Sequence, residues 1–187
     1  MTEKEKMLLG ESYLGWDAQL MEEREKTIDM LFDFNITRPI LRKEREEIIR
    51  KIFAKVGDNC WVESPFFCDH GYNIYVGNNF FAATNCVMLD CAKITIGNNV
   101  LIGPNVGIYT SSHDFNAKKR AEGYEKSLPV IIGDDVWIGG NVSIIGGVTI
   151  GNGSIIAAGS VVIRDVPEGV IAAGNPAKVI RNITEEY

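Results

Sequence analysis

Several residue types are too scarce in this chain to support common kinds of site. The sequence has two histidines, His70 and His113, and four cysteines with no pair at C-x-x-C spacing. It has 19 basic and 25 acidic side chains, so the surplus of Lys and Arg typical of nucleic-acid binding is missing. No apolar run approaches the roughly 20 residues needed to cross a bilayer. These shortages argue against a disulfide framework, a zinc site, a nucleic-acid partner and a membrane span.

The length of 187 residues suits one compact domain, or one domain with a modest extension. Residues 1–6 (MTEKEK) are charged and lack the apolar stretch of a signal peptide, so we expect a cytoplasmic protein. The cysteines Cys60, Cys68, Cys86 and Cys91 are then best explained as small buried hydrophobic residues.

A period of six residues runs through the second half of the chain. The β-branched residues that mark it are Ile96, Ile102, Ile108, Ile132, Ile138, Ile144, Ile150, Ile156 and Val162. A small residue follows most of them. The fifth residue of each hexad, counted from the β-branched residue, is again compact, as at Val136, Ser154 and Ser112. An α-helix cannot keep a six-residue period on one face, and the turn signals of hairpins are missing. The pattern predicts short strands with a corner every six residues and stacked β-branched side chains inside.

The predicted corners and the remaining segments complete this outline. Asparagine is frequent at the corners, which fits its tolerance of left-handed backbone conformations. The frame continues more weakly upstream, from Val76 to Ala92, and we expect the first coils near residues 58–64. Between the regular hexads a polar insertion, about 109–131, predicts one protruding loop, and such loops are often functional.

Residues 1–56 have a different pattern. Apolar residues at Ile48, Ile49, Ile52 and Phe53 predict a helix. Two shorter helices are expected before it, with apolar residues that include Tyr13 and Leu14 in the first and Ile28, Leu31 and Phe32 in the second. The sequence therefore predicts a helical domain over residues 1–56 and a β-helical domain over residues 57–187.

His113 is the residue best suited to acid–base chemistry. It follows the last regular hexad before the insertion, in the stretch Tyr109-Thr-Ser-Ser-His-Asp, among hydroxyl side chains and beside Asp114. An imidazole can accept a proton at neutral pH, so a histidine at the start of a functional loop predicts a general base. His70 is expected to be structural.

Four stretches resemble the maltose and galactoside O-acetyltransferases among the hexapeptide-repeat acyltransferases. They are the His113 segment, the N-terminal Gly10-Glu-x-Tyr with Asp17-x-x-Leu20, the Cys68-Asp-His-Gly-Tyr-Asn-Ile segment, and the pair Asp135-Val-Trp-Ile-Gly-Gly and Ala173-Gly-Asn-Pro-Ala-Lys-Val-Ile-Arg. The resemblance covers essentially the whole chain. It implies a left-handed parallel β-helix, a hand that the general rule for parallel crossovers would not predict.

The resemblance also implies a reaction and its residues. An acetyl group would move from acetyl-CoA to a hydroxyl of a small sugar, with His113 as base and no metal, in a homotrimer with active sites between subunits. The positions similar to acceptor-binding residues are Asp17, Asp69, Ala83, Cys91 and Glu125. Those similar to CoA-binding residues are Trp137, Gly140, Ala158, Ile163, Arg164, Lys178 and Arg181.

Two departures from the family keep alternatives open. The family usually has Asn at position 83, where it positions the acceptor or stabilises the oxyanion, and this chain has Ala83. Asn85 is expected to replace it if both lie on one side of a strand. Cys91 stands where galactoside-acting relatives carry an acid, which disfavours a strict galactoside preference.

The alternatives are another small acceptor, such as a xenobiotic or an amino acid, and a trimeric scaffold with impaired catalysis. A zinc-dependent carbonic anhydrase on this fold would need three histidines, and the chain has two.

Overall fold

The structure is a computed structural model that describes residues 1–184. Four helices lie within this range: α1 (Glu3–Leu9), α2 (Ala18–Ile36), α3 (Arg42–Ile52) and α4 (Ala117–Ala121). The strands are β1 (Tyr13–Leu14), β2 (Lys55–Val56), β3 (Trp61–Val62), β4 (Phe66–Cys68), β5 (Ile74–Val76), β6 (Phe81–Ala82), β7 (Cys86–Leu89), β8 (Ile94–Ile96), β9 (Leu101–Ile102), β10 (Gly107–Tyr109), β11 (Ser111–His113), β12 (Tyr124–Ser127), β13 (Val130–Ile132), β14 (Trp137–Ile138), β15 (Ser143–Ile145), β16 (Thr149–Ile150), β17 (Ile155–Ile156), β18 (Val161–Val162), β19 (Val170–Ala173) and β20 (Lys178–Asn182).

Three parallel sheets form the walls of a solenoid. Their orders are β2-β5-β8-β13-β16, β3-β6-β9-β14-β17-β19 and β4-β7-β10-β15-β18, so each coil gives one strand to each wall. The strands pair in register, for example Ile102 with Ile138 and Ile138 with Ile156. The predicted parallel β-helix is confirmed. Its left-handed sense stays a prediction from the resemblance.

The six-residue period corresponds to the interior of the solenoid. All nine β-branched residues that mark it, from Ile96 to Val162, are at most 2% exposed. The weaker upstream frame is also correct, because Val76, Ala82 and Met88 are buried in the same core. Ser112 departs from the pattern and is exposed, because the chain leaves the coil at that point.

The corners use asparagine and glycine for different purposes. Asn79 and Asn99 adopt left-handed conformations with φ of 55° and 57°. The Asn79 side-chain amide also donates to Asn99 Oδ1 at 2.8 Å, which ties successive coils together. Gly77 serves a close approach, since a Cβ there would lie 2.7 Å from the Gly97 carbonyl. The glycine after the buried residue therefore lets the coils stack, while the asparagine two residues later turns the corner.

The N-terminal segment differs in part from its predicted form. Of the three helices before the solenoid, α2 is the longest at 19 residues, whereas the sequence suggested two short helices before α3. Tyr13 and Leu14, expected on a helical face, form strand β1 instead. The first coil begins at β2, slightly before residues 58–64. The division into domains at residue 56 stays a prediction.

A buried arginine joins these helices to the first coil. Arg45 on α3 is 1% exposed and donates hydrogen bonds to the carbonyl oxygens of Thr37 at 3.1 Å and Val62 at 3.2 Å. Its guanidinium also lies 4.4 Å from the centre of the Phe34 ring. Ile49 and Ile52 of the same helix pack into the solenoid core. The N-terminal segment thus closes one end of the coil stack.

The insertion after β10 is an ordered hairpin. Strands β11 and β12 pair antiparallel, with α4 between them, and β1 adds to β12 as a third strand. The predicted break in the repeat is correct in place. The chain within it forms regular structure because β1, about 110 residues earlier in the sequence, supplies a partner strand.

Candidate active site

A cavity of about 290 Å³ lies between the hairpin, helix α2 and the ends of β4 and β7. Its lining residues are Tyr13, Gly15, Trp16, Leu20, Met21, Arg24, Asp69, His70, Leu89, Cys91, Ser111, His113 and Glu125. Both histidines of the chain therefore face one space. Four residues predicted for catalysis or acceptor binding also meet here, namely Asp69, Cys91, His113 and Glu125.

The pairing of β11 with β12 places His113 opposite Glu125. The Nδ1 atom of His113 lies 3.7 Å from Glu125 Oε1, and the imidazole side chain is 62% exposed. The other oxygen of Glu125 accepts a hydrogen bond from the Tyr13 hydroxyl at 2.8 Å, and that hydroxyl is also 3.0 Å from Ser127 Oγ. Tyr13 is buried, so this support for Glu125 is fixed by packing.

Asp69 forms the opposite side of the cavity. Its Oδ1 is 2.8 Å from Arg24 Nε, and its Oδ2 accepts a hydrogen bond from Cys91 Sγ at 3.5 Å. Burial raises the pKa of the Cys91 thiol to about 12, with a smaller contribution from the charge of Asp69. Cys91 is therefore a neutral donor at physiological pH and a poor candidate for a nucleophile.

A fully buried carboxylate holds the turn that carries Asp69. Asp90 Oδ1 accepts the backbone N–H groups of Asp69 at 3.1 Å and His70 at 2.8 Å, and Oδ2 accepts that of Asn73 at 3.2 Å. Burial raises the pKa of Asp90, although the backbone donors oppose this shift. These bonds fix the backbone of residues 69–73 against the cavity.

Three predicted acceptor or catalytic positions lie outside the lining of this cavity. Asp17 is the N-cap of α2, where its Oδ1 accepts the backbone N–H groups of Gln19 and Leu20. Ala83 follows the end of β6, and Asn85 is exposed at the next corner with φ of 60°. The argument that Asn85 replaces an asparagine at position 83 by strand alternation is wrong, because neither residue is in a strand.

Asn85 also has a structural equivalent in later coils. Its backbone N–H donates to Pro65, and the same bond recurs from Asn105 to Thr84 and from Asn141 to Pro104, all with left-handed backbones. Its conformation is therefore explained by the corner alone.

The positions predicted to bind CoA lie on the later coils, away from the lining of the His113 cavity. Trp137 projects from β14 and is 54% exposed. Gly140 and Ala158 lie at one corner of successive coils, where a Cβ on Gly140 would be 3.2 Å from the Pro104 carbonyl oxygen. Ile163 and Arg164 directly follow β18, and both are exposed.

The two remaining predicted cations, Lys178 and Arg181, are exposed on β20, which pairs antiparallel with β19. The predicted CoA positions thus all belong to the last coils. The small residues lie at one corner, and the three cations lie just after β18 and on β20. The roles of all predicted site residues stay predictions.

Sequence reasoning missed several residues of the cavity. No local pattern separates Arg24 from the other charges of α2, because its pairing with Asp69 depends on how α2 packs on the solenoid. Tyr13 was assigned to a helix. No group of His, Cys, Asp and Glu within residues 1–184 has the arrangement of a metal site. In the same range no helix is both long and apolar enough to cross a membrane.

Comparison with known proteins agrees with this architecture. Residues 6–57 match the maltose acetyltransferase hexapeptide capping motif, and residues 129–164 match the bacterial transferase hexapeptide with its six repeats. Residues 93–111 match a hexapeptide repeat of succinyl-transferase.

Three similar proteins cover nearly the whole chain. Galactoside O-acetyltransferase of Escherichia coli is 40% identical over 97% of this chain and 89% of its own length. The crystal structure of a maltose O-acetyltransferase from Clostridium difficile is 49% identical with a TM-score of 0.97, covering 99% of both chains. A hexapeptide-repeat acetyltransferase of Vibrio cholerae, crystallised with acetyl coenzyme A, is 40% identical with a TM-score of 0.91, covering 99% of this chain and 100% of the other.

The solenoid, its repeats and these matches define a hexapeptide-repeat acetyltransferase. Within that class, the chain belongs to the maltose/galactoside O-acetyltransferase family, because both its capping segment and its coils match members of that family.

Proposed function

We propose that this protein transfers the acetyl group of acetyl-CoA to a hydroxyl of a small sugar, with His113 as the general base. The observation that carries the proposal is the position of His113 next to Glu125 on the wall of a cavity whose mixed lining also includes the polar groups of Asp69, Arg24 and Ser111. Asp69, Arg24 and Ser111 offer the charged and hydroxyl partners that a polyhydroxylated acceptor needs.

The pairing also assigns a role to each nitrogen of the base. Nδ1 lies 3.7 Å from Glu125 Oε1, so in the proposed mechanism a small approach of the two side chains would place the proton of the neutral ring on Nδ1 and leave Nε2 to accept one. The acceptor hydroxyl would give its proton to Nε2 as its oxygen attacks the carbonyl carbon of the acetyl thioester. Glu125 would then stabilise the imidazolium ion that forms. When the carbon–sulfur bond breaks, the proton passes to the departing thiolate.

The CoA site is proposed on the later coils. Arg164, Lys178 and Arg181 would bind the phosphates, and the small side chains of Gly140 and Ala158 would allow the pantetheine arm to contact the backbone. A relative of the same fold was crystallised with acetyl coenzyme A, which supports CoA as the ligand of this protein. No metal takes part in the proposed reaction.

A homotrimer with shared active sites is part of the proposal. The corner that holds Ala83 and Asn85 does not line the cavity of the same chain. If this corner acts on the acceptor, as the resemblance implies, it has to come from a neighbouring copy. Exposed apolar side chains on the outer faces of the strands, such as Phe67, Leu101 and Trp137, favour self-association. A cytoplasmic location also stays a prediction.

The test is thiol release from acetyl-CoA with a panel of sugars. We expect sugar-dependent release by the wild type and a loss of about 10²–10⁴-fold in His113→Ala, the range that a general base contributes. Ser112→Ala is the matched control, because Ser112 lies between Ser111 and His113 on β11 and is absent from the cavity lining. Wild-type protein that releases no thiol with any sugar would refute transfer to a sugar. An unchanged rate in His113→Ala would remove this residue from the mechanism.

A scaffold with impaired catalysis is the second candidate, favoured by Ala83. The same sugar panel separates the acetyltransferase from the scaffold, because a scaffold impaired by Ala83 would leave every sugar unacetylated.

A further inference from the structure

His70, the second histidine of the chain, has an unusual environment. It is 5% exposed, and it lines the same cavity as His113. Its ring stacks on Tyr72 with 5.1 Å between centroids. Its Nδ1 atom is buried and has no hydrogen-bond partner among the described residues. A buried polar atom without a partner is uncommon and calls for an explanation.

The burial of Nδ1 fixes the state of the ring. An N–H on Nδ1 would be a donor sealed away from water and from any acceptor, which costs more than a ring nitrogen left with an unused lone pair. The imidazolium form would also place an N–H there. Burial lowers the pKa of His70 and outweighs the opposite effect of Asp90 and Asp69, which agrees with a neutral ring. The single proton then belongs on Nε2.

The surroundings hold the ring in this orientation. The backbone N–H of His70 donates to Asp90 at 2.8 Å, and its carbonyl accepts from the Thr27 hydroxyl at 2.9 Å. The hydroxyl of Tyr72, on which the ring stacks, donates to Glu23 at 2.7 Å. With backbone and stacking partner both tied, the ring has little freedom to turn Nδ1 toward the cavity.

We infer that His70 is an acceptor-binding residue, whose neutral Nε2–H donates a hydrogen bond to a hydroxyl oxygen of the sugar. Nδ1 is the ring nitrogen that is buried without a partner, and His70 lines the cavity, so Nε2 is the nitrogen left to reach a ligand there. Two of the neighbouring groups that can bind a sugar, Asp69 and Glu125, are carboxylates that accept hydrogen bonds, whereas the guanidinium of Arg24 is a charged donor. A neutral donor beside them matches the dual character of a hydroxyl, which both donates and accepts.

The inference rests on the proposed acceptor, so its first test does not require turnover. The chain has only two histidines, and His113→Ala leaves His70 as the only imidazole in the spectrum. Long-range ¹⁵N–¹H correlations of this variant at pH 7 should show the Nε2–H tautomer, and sugar titration should shift the His70 signals. An Nδ1–H tautomer, an imidazolium ion, or signals unmoved by every sugar of the panel would overturn the inference.

The second test uses three proteins and steady-state kinetics. His70→Phe keeps the aromatic stack without the donor, and His70→Gln keeps an amide N–H near the place of Nε2. We expect His70→Phe to raise the KM for the sugar about 2- to 10-fold, the effect of losing one neutral hydrogen bond, with kcat and the KM for acetyl-CoA little changed. His70→Gln should recover most of the loss.

Deoxy sugars identify the hydroxyl concerned. One deoxy analogue should bind wild type and His70→Phe equally, because the contact is absent from both complexes. An unchanged sugar KM in His70→Phe, or an equal loss in the Phe and Gln variants, would overturn the role of His70. Wild-type protein that acetylates no sugar would instead refute the proposed function, while the spectroscopic titration would still decide whether His70 binds a hydroxyl ligand.

Discussion

Glu125 divides its two carboxylate oxygens between His113 and Tyr13. One oxygen faces the imidazole, and the other is held by a buried phenol that also contacts Ser127. The burial of Tyr13 raises the pKa of its hydroxyl, so this group stays a donor. The proposed base thus lies beside a carboxylate whose own position is set inside the protein.

The substitution Glu125→Gln tests this arrangement. It keeps the size of the side chain and removes the charge that would stabilise the imidazolium. We expect kcat to fall about 10-fold, a fraction of the effect of the base itself, with the KM for acetyl-CoA unchanged. Rates with saturating sugar provide the measurement, and Lys126→Ala, on the neighbouring exposed position of β12, is the control. A normal kcat in Glu125→Gln would mean that His113 needs no carboxylate.

Single residues were predictable to the extent that local sequence determines their position. His113 stood at the break of the repeat, so its exposure at the entry to the hairpin followed from the pattern. Asn85 was assigned a catalytic part by strand alternation, but its left-handed backbone puts it at a corner. Asp17 has a local task as a helix cap that the resemblance did not indicate. Arg24 and Tyr13 reach the cavity through non-local packing, which no local pattern reports.

At the scale of elements, a carboxylate on α2 adds to the contacts that hold α1, which also include the buried side chain of Met7 and a hydrogen bond from the Leu14 backbone N–H to Glu3. Glu23 on α2 accepts hydrogen bonds from Lys4 of α1 at 2.8 Å and from Tyr72 at 2.7 Å. Lys4 also lies 4.3 Å from the centre of the Tyr72 ring. Burial opposes the charge of Glu23, yet these donors outweigh it and lower its pKa to about 2 from an ordinary 4.5.

This shift predicts how stability depends on pH. A carboxyl group with a lowered pKa in the folded state contributes stability above the unfolded pKa and loses it as the pH falls toward the folded pKa. We expect Glu23→Gln to destabilise the protein by about 2 kcal/mol at pH 7, the value of hydrogen bonds to a charged group. The difference from wild type should shrink between pH 4.5 and pH 2.

Urea unfolding at fixed protein concentration across this pH range is the measurement. Glu22→Gln is the matched control, since the exposed pair of Glu22 with Lys26 should be worth less than about 1 kcal/mol. A difference between wild type and Glu23→Gln that does not vary with pH would contradict the prediction.

How well each element could be predicted depends on how far apart in the sequence its contacting residues are. The coil strands were predictable, because each repeats a six-residue pattern and pairs with its equivalent in the next coil. The hairpin was predicted only as a loop, because its third strand, β1, comes from a distant part of the sequence. Tyr13 was expected in a helix for the same reason, since its strand pairs with the distant β12.

At the scale of the whole molecule, the proposed CoA site concentrates positive charge on a chain with a net charge of −6. Arg164→Ala and Lys178→Ala should each raise the KM for acetyl-CoA about 3- to 10-fold, because each removes one exposed charged contact with a phosphate. The effect should decrease at high ionic strength. Lys55→Ala, an exposed lysine of the first coil, is the control and should leave this KM unchanged. Equal KM values in all four proteins would place CoA elsewhere.

Both ends of the coil stack are occupied by the chain itself. At one end, α3 packs Ile49 and Ile52 against the first coil. At the other, β20 pairs with β19, and the turn after β19 hydrogen-bonds Val161 of β18 through Gly174 and Ala177. Within residues 1–184, segments of the chain itself therefore cover both ends of the stack, which opposes the addition of another molecule as a further coil. We therefore expect copies of this protein to associate through the sides of the solenoid and not to polymerise lengthwise into fibres.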